Sequence, residues 1–285
     1  MVNPDGTTFA DRYGPWALVA GASDGVGAAF ARALAERGIN VVLLARRRQV
    51  LDEVAAGIRA DTGADTRTVA VDLAESGAMA TVAEATAGLE IGTMVYCAGA
   101  DPNYEPFLAN PVDVPLALVR RNCVVPLQVC HHFAGAMVER GRGGIILLSS
   151  AAGLGGAPNM VAYAATKAFD LVLAEALWSE LHGQGVDVLA LVLGATDTPS
   201  LRRLLVSRGS ISDPDAPIPG AATPEQVVTE GLDNLSNGPT WFVGEQLREA
   251  DRRLRSMTRS DAVKAMARAT SGGIMSRKPP EEAGR

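Results

Sequence analysis

Cysteine is scarce in this chain, and what little there is does not pair. Cys97, Cys123 and Cys130 are the three cysteines among 285 residues, and no two stand at a metal-ligand or redox spacing. That excludes a disulfide framework and a thiolate zinc site, and it reads as buried thiols in a reducing compartment. His131 and His132, adjacent in a helical stretch, are not read as metal ligands, so no metal is expected. Long apolar runs are missing too: stretches such as Val186 to Leu193 fall far short of the roughly 20 residues that span a bilayer. Met1 to Ala10 lack the charged head and apolar stretch of a secretion signal, so a soluble, cytoplasmic protein is expected. No excess of positive charge exists either. A net charge of -6 and a pI near 5.2 disfavour a protein whose main work is gripping nucleic acid.

What is present is ample apolar material, 47% of residues hydrophobic against 20% charged, enough for a large core. Short runs rich in Val, Ile and Leu recur, separated by longer Ala- and Leu-rich stretches of helical period. That rhythm predicts an α/β fold: a doubly wound parallel sheet of about seven strands with helices on both faces, a Rossmann fold. The strands fall at Trp16 to Ala20, Val41 to Ala45, Arg67 to Val71, Thr93 to Cys97, Gly144 to Ser149, Val186 to Leu193 and Thr240 to Val243. Helices fit about Val26 to Arg37, Arg48 to Thr62, Gly77 to Ala87, Val114 to Arg140, Met160 to His182 and Pro224 to Ser236. Pro126 lies inside the fourth helical stretch and is expected to kink or split it. Residues 1–245 read as one domain, with an irregular lid near 199–223 that carries Leu201, Leu204 and Leu205. A C-terminal extension over 246–285 reads as two charged amphipathic helices, Gln246 to Met257 and Arg259 to Ala269, followed by a disordered tail.

In such a sheet, ligands bind outside the carboxyl ends of the strands, where strand order reverses. Small or polar residues gather at those ends here: Gly21, Arg46, Asp72, Ala98 with Gly99, Ser149 with Ser150, and Gly194. The run Gly21-Ala-Ser23-Asp24-Gly25-Val26-Gly27 opens from a hydrophobic strand directly into a helix. Glycines there permit a tight turn and close approach of a pyrophosphate to N–H groups at the positive helix end. After the second strand stand Arg46, Arg47 and Arg48, with no acid. A carboxylate at that place repels a ribose 2′-phosphate while guanidinium groups suit it, so NADP(H) is favoured over NAD(H); Asp24 adds a little repulsion. Most specific is Ser150 followed by Tyr163-Ala-Ala-Thr-Lys167, which sets phenol and ammonium four residues apart on one helix face. A cation beside a phenol favours the phenolate, which suits it to acid–base work.

With those residues in place, the sequence resembles the short-chain dehydrogenase/reductase family over about Trp16 to Gly244. The matching positions are Gly21, Gly25, Gly27, Asp72, Ala98-Gly99, Asn122, Ser150, Tyr163, Lys167 and Gly194 through Thr198. The resemblance implies that Tyr163 is the acid in ketone reduction and the base in alcohol oxidation. It further implies that Ser150 holds the substrate oxygen, that Lys167 binds the nicotinamide ribose and that Asn122 holds a water in the proton relay. By the same resemblance, Asp72 and Leu73 face the adenine, and Gly194, Thr196 and Thr198 the nicotinamide. Ala20, Cys97 and Leu193 depart from the family, which has Thr, Asn and Pro at those places; weaker strand bracing and a freer nicotinamide loop are expected. Further stretches, such as Arg67 to Asp72 and Met137 to Arg140, resemble the branch of hydroxysteroid dehydrogenases and long-chain 3-ketoacyl reductases. That branch implies a bulky apolar carbonyl or alcohol as the small-molecule partner. Family analogy also implies a homodimer or homotetramer through the helices near 112–140 and 160–182. Two rivals remain: an NADP(H)-binding sensor or scaffold without turnover, and a methyl transferase on a similar sheet. The second would want an acid after strand two and has no use for Tyr163 and Lys167.

Overall fold

A computed structural model describes residues 7–100 and 104–271. Seven parallel strands form one sheet: β1 Trp16–Ala20, β2 Asn40–Ala45, β3 Thr66–Ala70, β4 Ile91–Tyr96, β5 Gly143–Ser150, β6 Val186–Leu193 and β7 Thr240–Phe242. Their order is β3-β2-β1-β4-β5-β6-β7, so the chain winds outward from β1 in one direction and then resumes at β4 in the other. The crevice between β1 and β4, where winding reverses, is therefore the ligand edge of the sheet.

Strand burial explains the near-continuous Val/Ile/Leu runs, because each central strand is covered on both faces. One face packs under α2 (Gly25–Glu36), α3 (Arg48–Thr62) and α9 (Pro224–Asp233), through Phe30, Leu34, Ile58, Val227 and Leu232. The other packs under α4 (Ala78–Thr86), α6 (Val125–Arg140) and α7 (Val161–Leu181), through Val82, Val129, Met137 and Ala174. A short helix not expected from the sequence, α1 (Phe9–Tyr13), is capped reciprocally by Thr8 and Asp11. Its Tyr13 hydroxyl donates to buried Asp187 at 2.7 Å, tying the chain start to β6.

Three expectations need correction. The stretch from Val114 to Arg140, expected to be kinked or split at Pro126, is three pieces: α5 (Asp113–Val119), a wide π turn at Arg120–Val124, and α6. The break precedes Pro126 rather than falling on it, since a proline in the first turn of α6 has no intrahelical bond to lose. The lid region is not irregular throughout, because it opens with α8 (Pro199–Ser207), capped by the Thr198 hydroxyl accepting from Leu201 N–H at 3.2 Å. Arg202 then grips the Asp197 carboxylate twice, at 2.5 and 2.8 Å, and donates to the carbonyls of Pro214 and Asp215, fastening the rest of the segment. Leu205 is 0% exposed and packs into the body rather than facing a ligand.

The C-terminal extension holds α10 (Glu245–Arg255) and α11 (Arg259–Ser271), close to the expected spans. The tail expected to be disordered lies, beyond 271, outside the described residues. No helix among the described residues is long and apolar enough to cross a membrane.

Candidate active site

At the C-terminal edge of the sheet a cavity of about 590 Å³ runs from the first glycine turn to the C-terminal helices. Gly21 and Gly25 adopt left-handed backbone, φ 86° and 51°, which bends the chain from β1 into α2. A Cβ on Gly27 would lie 2.2 Å from the Gly21 carbonyl oxygen, so only glycine lets the helix start so close beneath the turn. The result is a bare N-terminal helix end open to the cavity, the geometry that a pyrophosphate requires. Gly21, Asp24, Gly25, Val26, Gly27 and Gly99 line this part of the cavity.

The arginines after β2 frame its far end, outside the cavity wall. Arg46 lies 3.8 Å from the Asp72 carboxylate. The Arg47 guanidinium lies 3.3 Å from both the Ser23 hydroxyl and the Asp24 carboxylate. Arg203, on α8, approaches the same Asp24 oxygen at 3.1 Å, so the glycine turn and the lid helix share one anion. Leu73 points the other way, its side chain 4% exposed in the core under α4.

The expected chemical group comes together on the other side. Ser150, at the end of β5, together with Tyr163 and Lys167 on α7, lines the same cavity as the glycine turn. The Ser150 hydroxyl accepts from the Ala152 N–H at 3.2 Å, which starts the turn after β5. Its neighbour Ser149 is spent structurally, donating at 2.7 Å to the Lys167 carbonyl and pinning α7 to the sheet. Gly153 completes that junction: a Cβ there would lie 2.7 Å from the Lys167 carbonyl carbon. The Lys167 ammonium sits 6.0 Å from the centre of the Tyr163 ring.

Asn122 is fully buried in the π turn, where its amide donates to the Gly99 carbonyl at 3.1 Å and to the Thr166 hydroxyl at 2.9 Å. It thus braces the loop after β4 against α7. Ala98 leads into that braced loop at Gly99, outside the cavity wall. Gly194, Thr196 and Thr198 form the floor beside β6, and a Cβ on Gly25 would touch the Thr198 methyl at 2.9 Å. Of the departures from the family pattern, Cys97 and Leu193 stand in this wall; burial pushes the Cys97 thiol up against the opposing pull of Lys167.

Two features escaped the sequence reading. The first is Asp170, whose carboxylate takes the Lys167 ammonium at 2.9 Å inside the protein. Burial works against the Lys167 charge most strongly, but Asp170, with Tyr163 and Cys97 behind it, keeps the ammonium above its ordinary 10.5. Burial likewise holds the Asp170 carboxyl above its ordinary 3.8, with Lys167 opposing. A Lys and an Asp three apart on a helix ordinarily signal a solvated pair, so nothing in the spacing announced this one. The second is the role of the C-terminal helices, which supply Leu247, Ala250, Leu254, Ala265, Met266 and Ala269 to the cavity. Their three- and four-residue spacing was the available signal of an inward face. Arg259 donates to the Leu154 carbonyl at 2.7 Å, docking α11 on the turn next to Ser150.

A family model for short chain dehydrogenases matches residues 15–207. The chain belongs to the short-chain dehydrogenase family. Among curated relatives, the 7beta-hydroxysteroid dehydrogenase of Clostridium sardiniense is 34% identical over 259 residues, 90% of this chain and 95% of its own length. A solved 7beta-hydroxysteroid dehydrogenase, from a study of stereoselectivity, superposes with a TM-score of 0.82 at 32% identity, covering 91% of this chain and 99% of its own. A short-chain dehydrogenase from Sphingobium yanoikuyae in complex with NADPH gives a TM-score of 0.70 at 27% identity, over 86% of this chain and 96% of its own. This short-chain dehydrogenase is accordingly an oxidoreductase, of a family that works with NAD(P).

Proposed function

We propose that this oxidoreductase uses NADP(H) to interconvert a bulky apolar ketone or aldehyde and the corresponding alcohol, with Tyr163 as acid and base. The observation that carries the reading is one cavity lined by Ser150, Tyr163 and Lys167 at one end and the glycine turn at the other. The wall between them is largely Leu, Met and Ala, which suits a large ligand with few charged groups. The relatives named as hydroxysteroid dehydrogenases support the same substrate class. Arg46 and Arg47 at the adenosine end support the 2′-phosphorylated cofactor, as does the NADPH held by the Sphingobium neighbour.

The glycine turn would hold the pyrophosphate, Arg46 and Arg47 the 2′-phosphate, Asp72 and the Leu73 backbone the adenine side, and Thr196 and Thr198 the nicotinamide side. A nicotinamide bound there supplies or takes up the hydride. The protein does the rest. Ser150 orients the substrate oxygen, and its fixed hydroxyl stabilises negative charge on that oxygen with no solvent to reorganise. Tyr163 donates its hydroxyl proton to that oxygen in reduction and takes it back in oxidation. Lys167 supports the phenolate, and Asn122 keeps the loop at Gly99 in register with α7 for proton exchange. Apolar surface left exposed at Val112, just before α5, and at Leu116, Leu127 and Val172, on α5 to α7, supports a homodimer or homotetramer.

The test is a panel of bulky ketones and secondary alcohols followed at the nicotinamide absorbance with each cofactor. Tyr163→Phe is expected to lower kcat by about 10² to 10⁴ while NADPH still binds. Parent-like turnover by that variant, or equal use of NADH, would overturn the acid–base or the cofactor assignment respectively.

A further inference from the structure

The ammonium that the chemistry places beside Tyr163 already has an internal anion. Lys167 Nζ donates to the Leu148 carbonyl at 2.8 Å and to Asp170 Oδ2 at 2.9 Å, and both side chains are almost wholly enclosed. The other Asp170 oxygen is buried with no hydrogen-bond partner. A carboxylate oxygen left unsatisfied in the interior costs stability, although removing the anion alone would leave the Lys167 ammonium buried without its counter-charge. The effect of Asp170 must therefore be sought in the one group it does engage.

We propose that Asp170 is a positioning residue of the catalytic site, an internal counter-anion that draws Lys167 toward the sheet and offsets its positive field at Tyr163. The inference rests on the acid–base reading of Tyr163 given above. Two consequences follow from charge alone. Leu148 and Asp170 take two of the three ammonium N–H groups, so a cofactor ribose finds one donor left and binds more weakly than to an unclaimed lysine. The phenolate also receives less support from its cation, so alcohol oxidation, which needs it, sets in at higher pH than in a site with Lys167 unopposed.

The surroundings leave this pair in charge. From β4, Tyr96 donates its hydroxyl to the Arg121 carbonyl and is held well above its ordinary value by burial and by Asp170. From the π turn and α6, Cys123 is pushed to about 11 and Cys130 to about 12, burial first and Asp170 second. Cys97, at the end of β4, is raised by burial as well. All four stay neutral near pH 7. Arg121, which donates to the Ala100 carbonyl, acts on Tyr96 from the π turn. On α7 itself the neighbours are Lys167 and Tyr163.

Asp170→Asn keeps an acceptor for Lys167 and removes only the charge; Asp170→Ala removes both. Phenolate formation is read by ultraviolet absorbance, with the Tyr163→Phe protein subtracted, and NADPH binding by fluorescence quenching, so neither needs a substrate. The alcohol-oxidation profile of kcat against pH is the third readout. In both variants, with Lys167 still protonated, the phenolate titration and the oxidation limb are expected to fall by about one pH unit and NADPH to bind several-fold tighter; a titration that rises would mean that Asp170 instead keeps Lys167 charged, and would overturn the inference. A titration and limb that stay in place, with kcat lowered at every pH and a reduced Tm, would mean a merely structural residue and overturn the inference. That result leaves the loss of activity in Tyr163→Phe untouched, so it does not bear on the proposed reaction. Conversely, a parent inert on the whole panel would overturn the proposed substrate class, and the phenolate titration would still decide the role of Asp170.

Discussion

Single residues decide how the two ends of the cavity are held. Arg46 and Arg47 are largely exposed and engaged only loosely by Asp72, Ser23 and Asp24, so they are available to a phosphate. Replacing both by alanine is expected to raise KM for NADPH by about 10- to 100-fold and to leave KM for NADH within about threefold, as initial rates would show. At the chemical end, Gly153 has no room for a methyl group against the Lys167 carbonyl. Gly153→Ala should lower stability by about 1 to 3 kcal/mol in urea unfolding and depress kcat, because the turn carrying Ser150 must slide against α7. The Tyr163–Lys167 spacing was legible because a helix converts four residues into one face. The division of labour between Ser149 and Ser150 and the Lys167–Asp170 pair were not, since each depends on what lies against α7 in space.

Among the elements, the sheet was the most legible. All seven strands stand where alternating blocks of β-branched residues and glycines put them, with ends moved by a residue or two. Less legible was the π turn, a product of how α5 and α6 pack rather than of local composition. Helix α8 did carry local signals, a Thr198 cap followed by Pro199, but the Ser-Arg-Gly-Ser and Pro-rich stretch after it read as irregular. Arg202 supplies what composition hides, a single side chain that ties Asp197 to Pro214 and Asp215. Glu230 does the same for β7 and α10, accepting from Trp241, the Gly244 N–H, Arg248 and Gln226. Burial tends to raise its carboxyl, but these bonds prevail and hold it below its ordinary 4.5. Because the folded value lies below the unfolded one, the stabilisation is present above about pH 4.5 and is lost as pH falls through the folded value. Glu230→Gln should therefore cost about 1 to 3 kcal/mol at pH 7, and the gap to the parent in urea titrations should narrow toward pH 3.

For the whole molecule, the consequence of the fold is that distant ends of the chain close one cavity. Helix α11 contributes Ala265, Met266 and Ala269 to the wall and meets the turn after β5, where a Cβ on Gly155 would lie 2.7 Å from the Met266 sulfur. Deleting residues from Arg259 onward opens that side while sparing the Glu230–Arg248 pair. The expected outcome is a fall in kcat/KM of about tenfold or more for bulky apolar carbonyls, with NADPH affinity within about threefold of the parent. An undiminished kcat/KM for bulky substrates would show that α11 is not part of the substrate wall.

The sequence by itself determined the sheet, the glycine turn and the phenol–lysine face, because each is a local pattern: alternation, φ freedom and helical period act within a few residues. Tertiary structure alone decided that Asp170 would share Lys167 and that the last two helices would roof the site. Both outcomes depend on desolvation and packing between segments far apart in the chain, and a residue's neighbours in sequence carry no record of them.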